Sequence, residues 1–207
     1  MALGALLDYL KRTQITGLER MEEINVYSEA KTMRLDLNTR RNLELLETMR
    51  SKERRGSLLW VLDKTKTAMG KRLIRTWLEQ PLLSPAKITL RQNAVAELFD
   101  NRPLLDAITE SLTGIFDLER IMTRVVYGSV NGKDLRALWS ALTRLPQLKS
   151  LAAQCEATQL KAIEQQIDPL EDICALIDKA IVEEPPHTIR EGGIIREGYD
   201  DALDAVK

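Results

Sequence analysis

From Ser84 onward the chain is divided at short intervals by helix punctuation, and this restricts it to a helical fold more than any other feature. Ser84-Pro85 places an N-cap hydroxyl before a proline at the first helical position, where the missing N–H costs nothing. Asn101-Arg102-Pro103 repeats the signal ahead of Leu104, Leu105, Ile108 and Leu112, and Gly114 ends that segment. Asp117–Tyr127 carries Leu118, Ile121, Met122, Val125 and Val126 at a 3.6-residue period, closed by Gly128. Asn131-Gly-Lys-Asp134 is a further cap, followed by Leu135, Leu138, Trp139 and Leu142. Pro146 breaks that helix, with a short successor over 148–153. Asp168-Pro169-Leu-Glu171 is the strongest start signal, an N-cap acid followed by proline and a second acid three residues on. Pro185-Pro186-His187 stops the helix it opens. Along 85–100, Ile88, Val95, Leu98 and Phe99 are the expected buried face.

The first third is less uniform. Leu3, Leu6, Leu7 and Leu10 form a helical stripe over 2–13. Ile24, Val26 and Tyr27, then Met33–Leu37, predict short strands within 24–37. The stretch 39–49 reads as a strand-to-helix passage, 52–57 as a charged turn, 57–62 as a short helix and 64–79 as a longer one. Further strands are expected near 188–196, as a hairpin about Gly192-Gly193 between 188–190 and 194–196. The expected fold is mainly α, a multi-helix bundle with a few short strands. From Tyr199 the text turns helical again and stops at Lys207 without a C-cap, which predicts a chain cut from something longer.

No reaction centre is expected. Asp117 and Glu119 point differently on a helix, Gly70-Lys71 lacks the glycine spacing and following hydroxyl of a phosphate loop, and Gly192-Gly193 reads as a turn before an anion nest. His187, the one histidine, stands beside two prolines and allows no Ser/His/Asp set. Cys155 and Cys174, the only cysteines, form no CxxC and read as small buried apolar residues of a reducing compartment. No metal is expected. The opening residues lack a secretory signal, and no run of 18 apolar residues could span a membrane.

The net charge of −1 gives no global field toward nucleic acid. Basic residues do cluster: Arg40-Arg41, Lys52/Arg54/Arg55, and Lys71-Arg72-Arg75. Lys71 and Arg75 share a helix face, and Lys71, Arg72 and Arg75 are the candidate contacts to DNA phosphate. A solvated or ion-paired face is the competing reading, because acids are dispersed nearby and no aromatic residue interleaves to stack on bases. Gly70, inside a helix where it costs about 1 kcal/mol against alanine, is expected to admit a close neighbour, with Met69, Leu73 and Trp77 packing on one side.

LLWVLDKTKTAMGKRLIRTWLEQPL, residues 58–82, resembles the middle-domain signature of the MutS family of DNA mismatch-recognition ATPases, roughly LxxxLDxTxTAMGxRLLRxWLxxPL. The resemblance continues through ALGALLDYLKRTQ, LDLNTRRNLEL, RQNAVAEL, DLERIMTR, the Gly128…Lys133-Asp134-Leu135…Leu145-Pro146 series and REGGIIREGYDDALDAVK, and so covers nearly the whole chain in order. Trp60 stands where relatives often carry a smaller residue, and Lys133 where arginine is frequent.

This resemblance implies a core domain, 1–198, followed by the first turns of a long lever helix at 199–207; with the returning lever and the ATPase domain absent, Tyr199, Leu203 and Val206 are expected to be exposed and 199–207 to fray or to be captured by a neighbouring molecule. The family's mismatch-reading domain with its Phe-x-Glu wedge, its clamp and its Walker-type ATPase domain are not in this sequence. The implied role is mechanical: coupling mismatch recognition and clamp to the ATPase domain, with no catalysis of its own. ATP and Mg belong to the parent family through the missing ATPase domain, and none is expected in this chain. Implied partners are the other domains, mismatched DNA through the parent protein, and a second copy in a full-length dimer. The implied location is the bacterial cytoplasm, at the nucleoid through DNA. The alternatives are a free-standing helical protein-interaction module and, further off, an enzyme of unknown type.

Overall fold

The structure, a computed structural model, describes residues 2–13 and 31–205. Ile24, Val26 and Tyr27 of the expected strands, and Val206, lie outside the described residues. The chain divides into two units, Met1–Lys31 and Thr32–Lys207. The first holds helix α1 (Ala2–Thr13). On its exposed side Arg12 pairs with Asp8 one turn back at 3.0 Å.

The second unit is helical. In order come α2 (Leu37–Asn42), α3 (Leu58–Leu62), α4 (Ala68–Glu79), α5 (Pro85–Asp100), α6 (Arg102–Leu112), α7 (Leu118–Val126), α8 (Gly132–Leu142), α9 (Leu145–Ala152), α10 (Thr158–Gln166), α11 (Glu171–Ala180) and α12 (Asp201–Asp204). Helix α5 packs on α6, α6 on α9, α9 on α10 and α10 back on α5, so these four close a ring. Beside it α8 lies between α7 and α11, and α3 lies against α4. Ile177, Ala180 and Ile181 are buried against Leu135, Leu138, Trp139, Ile194 and Ile195. Each large side chain removed from water there contributes about 1.5–3 kcal/mol.

Local caps set most helix starts. Asn101 Oδ1 accepts the Leu104 N–H at 3.3 Å. Asn131 and Asp134 cap each other's backbone N–H groups at 2.8 and 3.4 Å. Helix α10 starts differently. Ala157 offers it no side-chain cap, and the carboxylate of Glu97 on α5 accepts the Glu156 and Ala157 N–H groups at 2.5 and 2.7 Å. At the other end of α10, Lys149 Nζ donates to the Ile167 carbonyl at 2.9 Å. Arg144 Nη1 likewise donates to the Thr113 carbonyl, just past α6, at 2.5 Å. Such polar ties satisfy helix-end groups that lack intrahelical partners.

Several expectations are corrected. Strands reduce, among the described residues, to two isolated bridges, Thr32 with Leu82 and Ile181 with Ile195. The expected hairpin does not form. Thr188 donates its N–H and hydroxyl to Glu191 Oε1 at 3.1 and 2.7 Å, curling 188–191 on itself, so 194–196 pairs with 180–182 instead. Helix α11 begins at Glu171, not after Asp168, because Asp168 accepts the Leu170 N–H at 3.0 Å and Leu170 takes a left-handed φ of 50°. Over 39–49 the order is reversed, helix first and then turns. On α5, Val95 and Phe99 are 67% and 60% exposed while Ala94 is buried; the ring partners α6 and α10 select that face. The expected 64–79 helix starts at Ala68, since Thr67 is its N-cap. Helix α9 begins at Leu145 with Pro146 in its first turn, so the proline opens this helix.

Candidate functional site

The signature segment is built around a turn. Asp63 follows α3 and accepts the Thr65 N–H at 3.1 Å and the Thr65 hydroxyl at 2.5 Å. This is the local carboxylate turn that short acidic side chains favour. Two residues on, Thr67 Oγ1 accepts the Gly70 N–H at 3.0 Å and caps α4. Gly70 therefore lies in the first turn of the helix. A Cβ there would sit 3.1 Å from Thr67 Oγ1 and 3.3 Å from Thr65 Cβ. The close neighbours are the side chains of the turn itself. Further along α4, Met69 is half-buried, and Leu73 and Trp77 are 52% and 42% exposed. Trp77 carries the Arg91 guanidinium 3.6 Å from its ring centre, a cation–π contact.

Three basic side chains leave α4, and the fold treats them differently. Arg72 donates to both carboxylate oxygens of Asp117 at 2.8 and 2.6 Å and pairs with Glu119 at 2.6 Å. Hydrogen bonding from Arg72 holds the Asp117 carboxyl below its ordinary range, and the Asp117 bond holds the guanidinium still more firmly protonated. Arg75 reaches Glu79 on its own helix at 3.3 Å. Among the described residues the Lys71 side chain makes no hydrogen bond or ion pair. Behind them Arg54 pairs with Asp63, whose side chain is 3% exposed. Asp63 is held below the usual carboxylate range chiefly by the Thr65 hydroxyl, against the opposing effect of burial.

These residues line two adjoining open grooves. One, of about 410 Å³, is walled by Leu46, Glu47, Lys52, Arg54, Leu59, Asp63, Lys71, Arg72 and Arg75. The other, of about 300 Å³, is walled by Leu37, Arg40, Arg41, Leu46, Glu47, Arg75 and Glu79. Leu46, Glu47 and Arg75 belong to both. The three basic clusters, distant in sequence, thus meet on one face. Neither their spacing nor their local composition signals the convergence, because loops 43–57 and 63–67 bring them together.

The start of α4 does not fit nucleotide phosphates. The Gly70 N–H is already donated to Thr67 Oγ1 and the Lys71 N–H to the Thr67 carbonyl, so they are not free to cradle an anion. No cluster of three His, Cys, Asp or Glu that could hold a metal occurs among the described residues. Cys155 is fully buried, Cys174 partly so, and both are unbridged. Burial pushes both thiols up, away from the thiolate that nucleophilic chemistry requires. His187 is exposed, its ring nitrogens 2.8 and 3.1 Å from Lys133 Nζ. Among the described residues no helix is long and apolar enough to cross a membrane.

Comparison with known proteins gives one consistent result. The MutS domain III family model matches residues 38–206. The DNA mismatch repair protein MutS of Lachnoclostridium phytofermentans is 48% identical over 206 residues, covering 100% of this chain and 22% of that protein. The protein of the same name from Ruminiclostridium cellulolyticum is also 48% identical, over 100% of this chain and 24% of its own length. That of Halothermothrix orenii is 45% identical over 207 residues, 23% of its length. The chain therefore spans less than a quarter of the relatives it matches.

Proposed function

The chain belongs to the MutS family, as its domain III, and from that premise we propose that it is the mechanical core of a DNA mismatch-repair protein. In this reading it couples mismatch recognition and clamp to an ATPase domain and performs no catalysis itself. The observation that carries the reading is the match over 38–206, the segment in which the second unit is built. The architecture supports it. Helices α5, α6, α9 and α10 form a closed ring. Glu97, Lys149 and Arg144 bind helix ends across that ring. Close-packed blocks of this kind pass strain on with little internal give, which a relay between distant sites requires.

Residues 199–207 would then open the lever. Asp200 caps α12 by accepting the Ala202 N–H at 2.9 Å, and Tyr199 and Leu203 are each 38% exposed, leaving apolar surface for the rest of the lever. ATP and Mg would bind elsewhere in the longer protein. The partners in this reading are its other domains, mismatched DNA bound through the whole protein, and a second full-length copy.

The test compares ATP turnover with and without mismatched duplex DNA in the full natural product and in its Arg72→Gln variant. The expected result is a retained basal rate with weakened mismatch stimulation. The 207-residue chain alone should show no turnover and no preference for a mismatch. Turnover by the isolated chain, or unchanged stimulation in the variant, would remove the proposal.

A further inference from the structure

We infer that the face formed by α2, the 43–57 loop and α4 is a docking site for an acidic segment, interspersed with apolar residues, from the longer protein outside residues 1–207. This rests on the reading of the chain as one domain of such a protein.

Charge and apolar surface coincide on this face. Cations outnumber carboxylates seven to three along the two grooves, in a chain whose net charge is −1. Arg41, Lys52 and Lys71 have no hydrogen-bond or ion-pair partner for their side chains among the described residues. Beside them Leu37, which lines one groove, is 83% exposed, and Leu46, which lines both, is half-buried.

A nucleic-acid backbone satisfies only half of this. Phosphates would meet Arg41 and Lys71 but would leave the leucines wet. Nor does any aromatic residue among the lining offer a base a stacking surface. A polypeptide satisfies both halves. Its carboxylates can take charge-assisted hydrogen bonds from the unpaired cations, while its apolar residues cover Leu37 and Leu46. Candidate polypeptide is ample, because the match accounts for 22–24% of the relatives' length.

The experiment places a photoreactive benzoylphenylalanine at Arg41 in the full natural product, with Lys87 on α5 as a control position, and maps the cross-links by mass spectrometry. The expected result is one dominant cross-link from position 41, absent from position 87, to an Asp/Glu-rich segment outside residues 1–207. Adding Lys52→Glu and Lys71→Glu should reduce it roughly tenfold, the scale of losing two charge-assisted contacts. A cross-link to added duplex DNA, to a basic or uncharged segment, or to residues within 1–207 overturns the proposal, as does no cross-link at all. Mismatch-stimulated ATP turnover, measured on the unlabelled protein, reads the function proposed above separately. Stimulation without the cross-link sinks the docking site alone.

Discussion

Asp117 holds both terminal nitrogens of Arg72, at 2.8 and 2.6 Å, across 45 residues of chain. The same carboxylate accepts the Arg120 N–H and caps α7, so one side chain starts one helix and anchors another. Asp117→Asn and Arg72→Gln should each lower the thermal midpoint, and the double variant should lower it by less than their sum. The pH sign follows from the depressed carboxyl. Its stabilising effect is whole above the unfolded value of 3.8 and is lost as pH falls through the lower folded value. The gap in midpoint between wild type and Asp117→Asn should be steady near neutrality and close on acidification. A gap that widens in acid would contradict the assignment.

Gly132 lies under the chain that leaves α11. A Cβ on it would stand 2.6 Å from Pro185 Cβ and 3.1 Å from Ile194 Cγ2. The residue is buried and the proline ring cannot fold away. Gly132→Ala should therefore destabilise by about 1–3 kcal/mol through overpacking, although alanine is the better helix former. Urea unfolding measures this, and a neutral or stabilising result would refute the contact.

At Gly70 the neighbours are closer to ordinary contact but are held in place. Thr67 Oγ1 is fixed by the N–H it accepts, and the Thr65 hydroxyl by its bond to Asp63. Gly70→Ala should consequently lose about 1 kcal/mol, overpacking outweighing propensity. A chemical-denaturation midpoint above that of wild type would show that the turn yields.

Glu97 supplies α10 with the cap that its own sequence lacks. Glu97→Ala leaves the Glu156 and Ala157 N–H groups without their acceptors and should cost about 1–2 kcal/mol, the range for losing a helix cap. Amide exchange at Glu156 and Ala157 should quicken selectively. Unchanged exchange there would mean that water replaces the carboxylate without loss.

How much of this was legible in the residues depends on the reach of each interaction. Asn101, Asp117 and Asn131 mark helix starts in the sequence because each cap closes within three residues of its own position. The signature segment is legible for the same reason, since Asp63, Thr65, Thr67 and Gly70 make one local turn. Helix α10 was not among the sequence expectations, its cap coming from a residue 60 positions away. Asp168 misled, because the same acid-proline signal serves a turn that puts Leu170 in the left-handed region.

The sequence by itself determined that the chain is helical, where α1, α3 and α5–α8 begin, and which family its signature belongs to. It also marked the three basic clusters. Only the tertiary structure decided that those clusters share one face, that Arg72 is matched by Asp117 and Glu119 while the Lys71 side chain has no such partner among the described residues, and that Gly132 must stay bare beneath Pro185. The physical reason is range. Caps and helical periods act within about a turn, whereas charge pairing and close approach between elements depend on which faces pack, a choice made by burial over the whole unit.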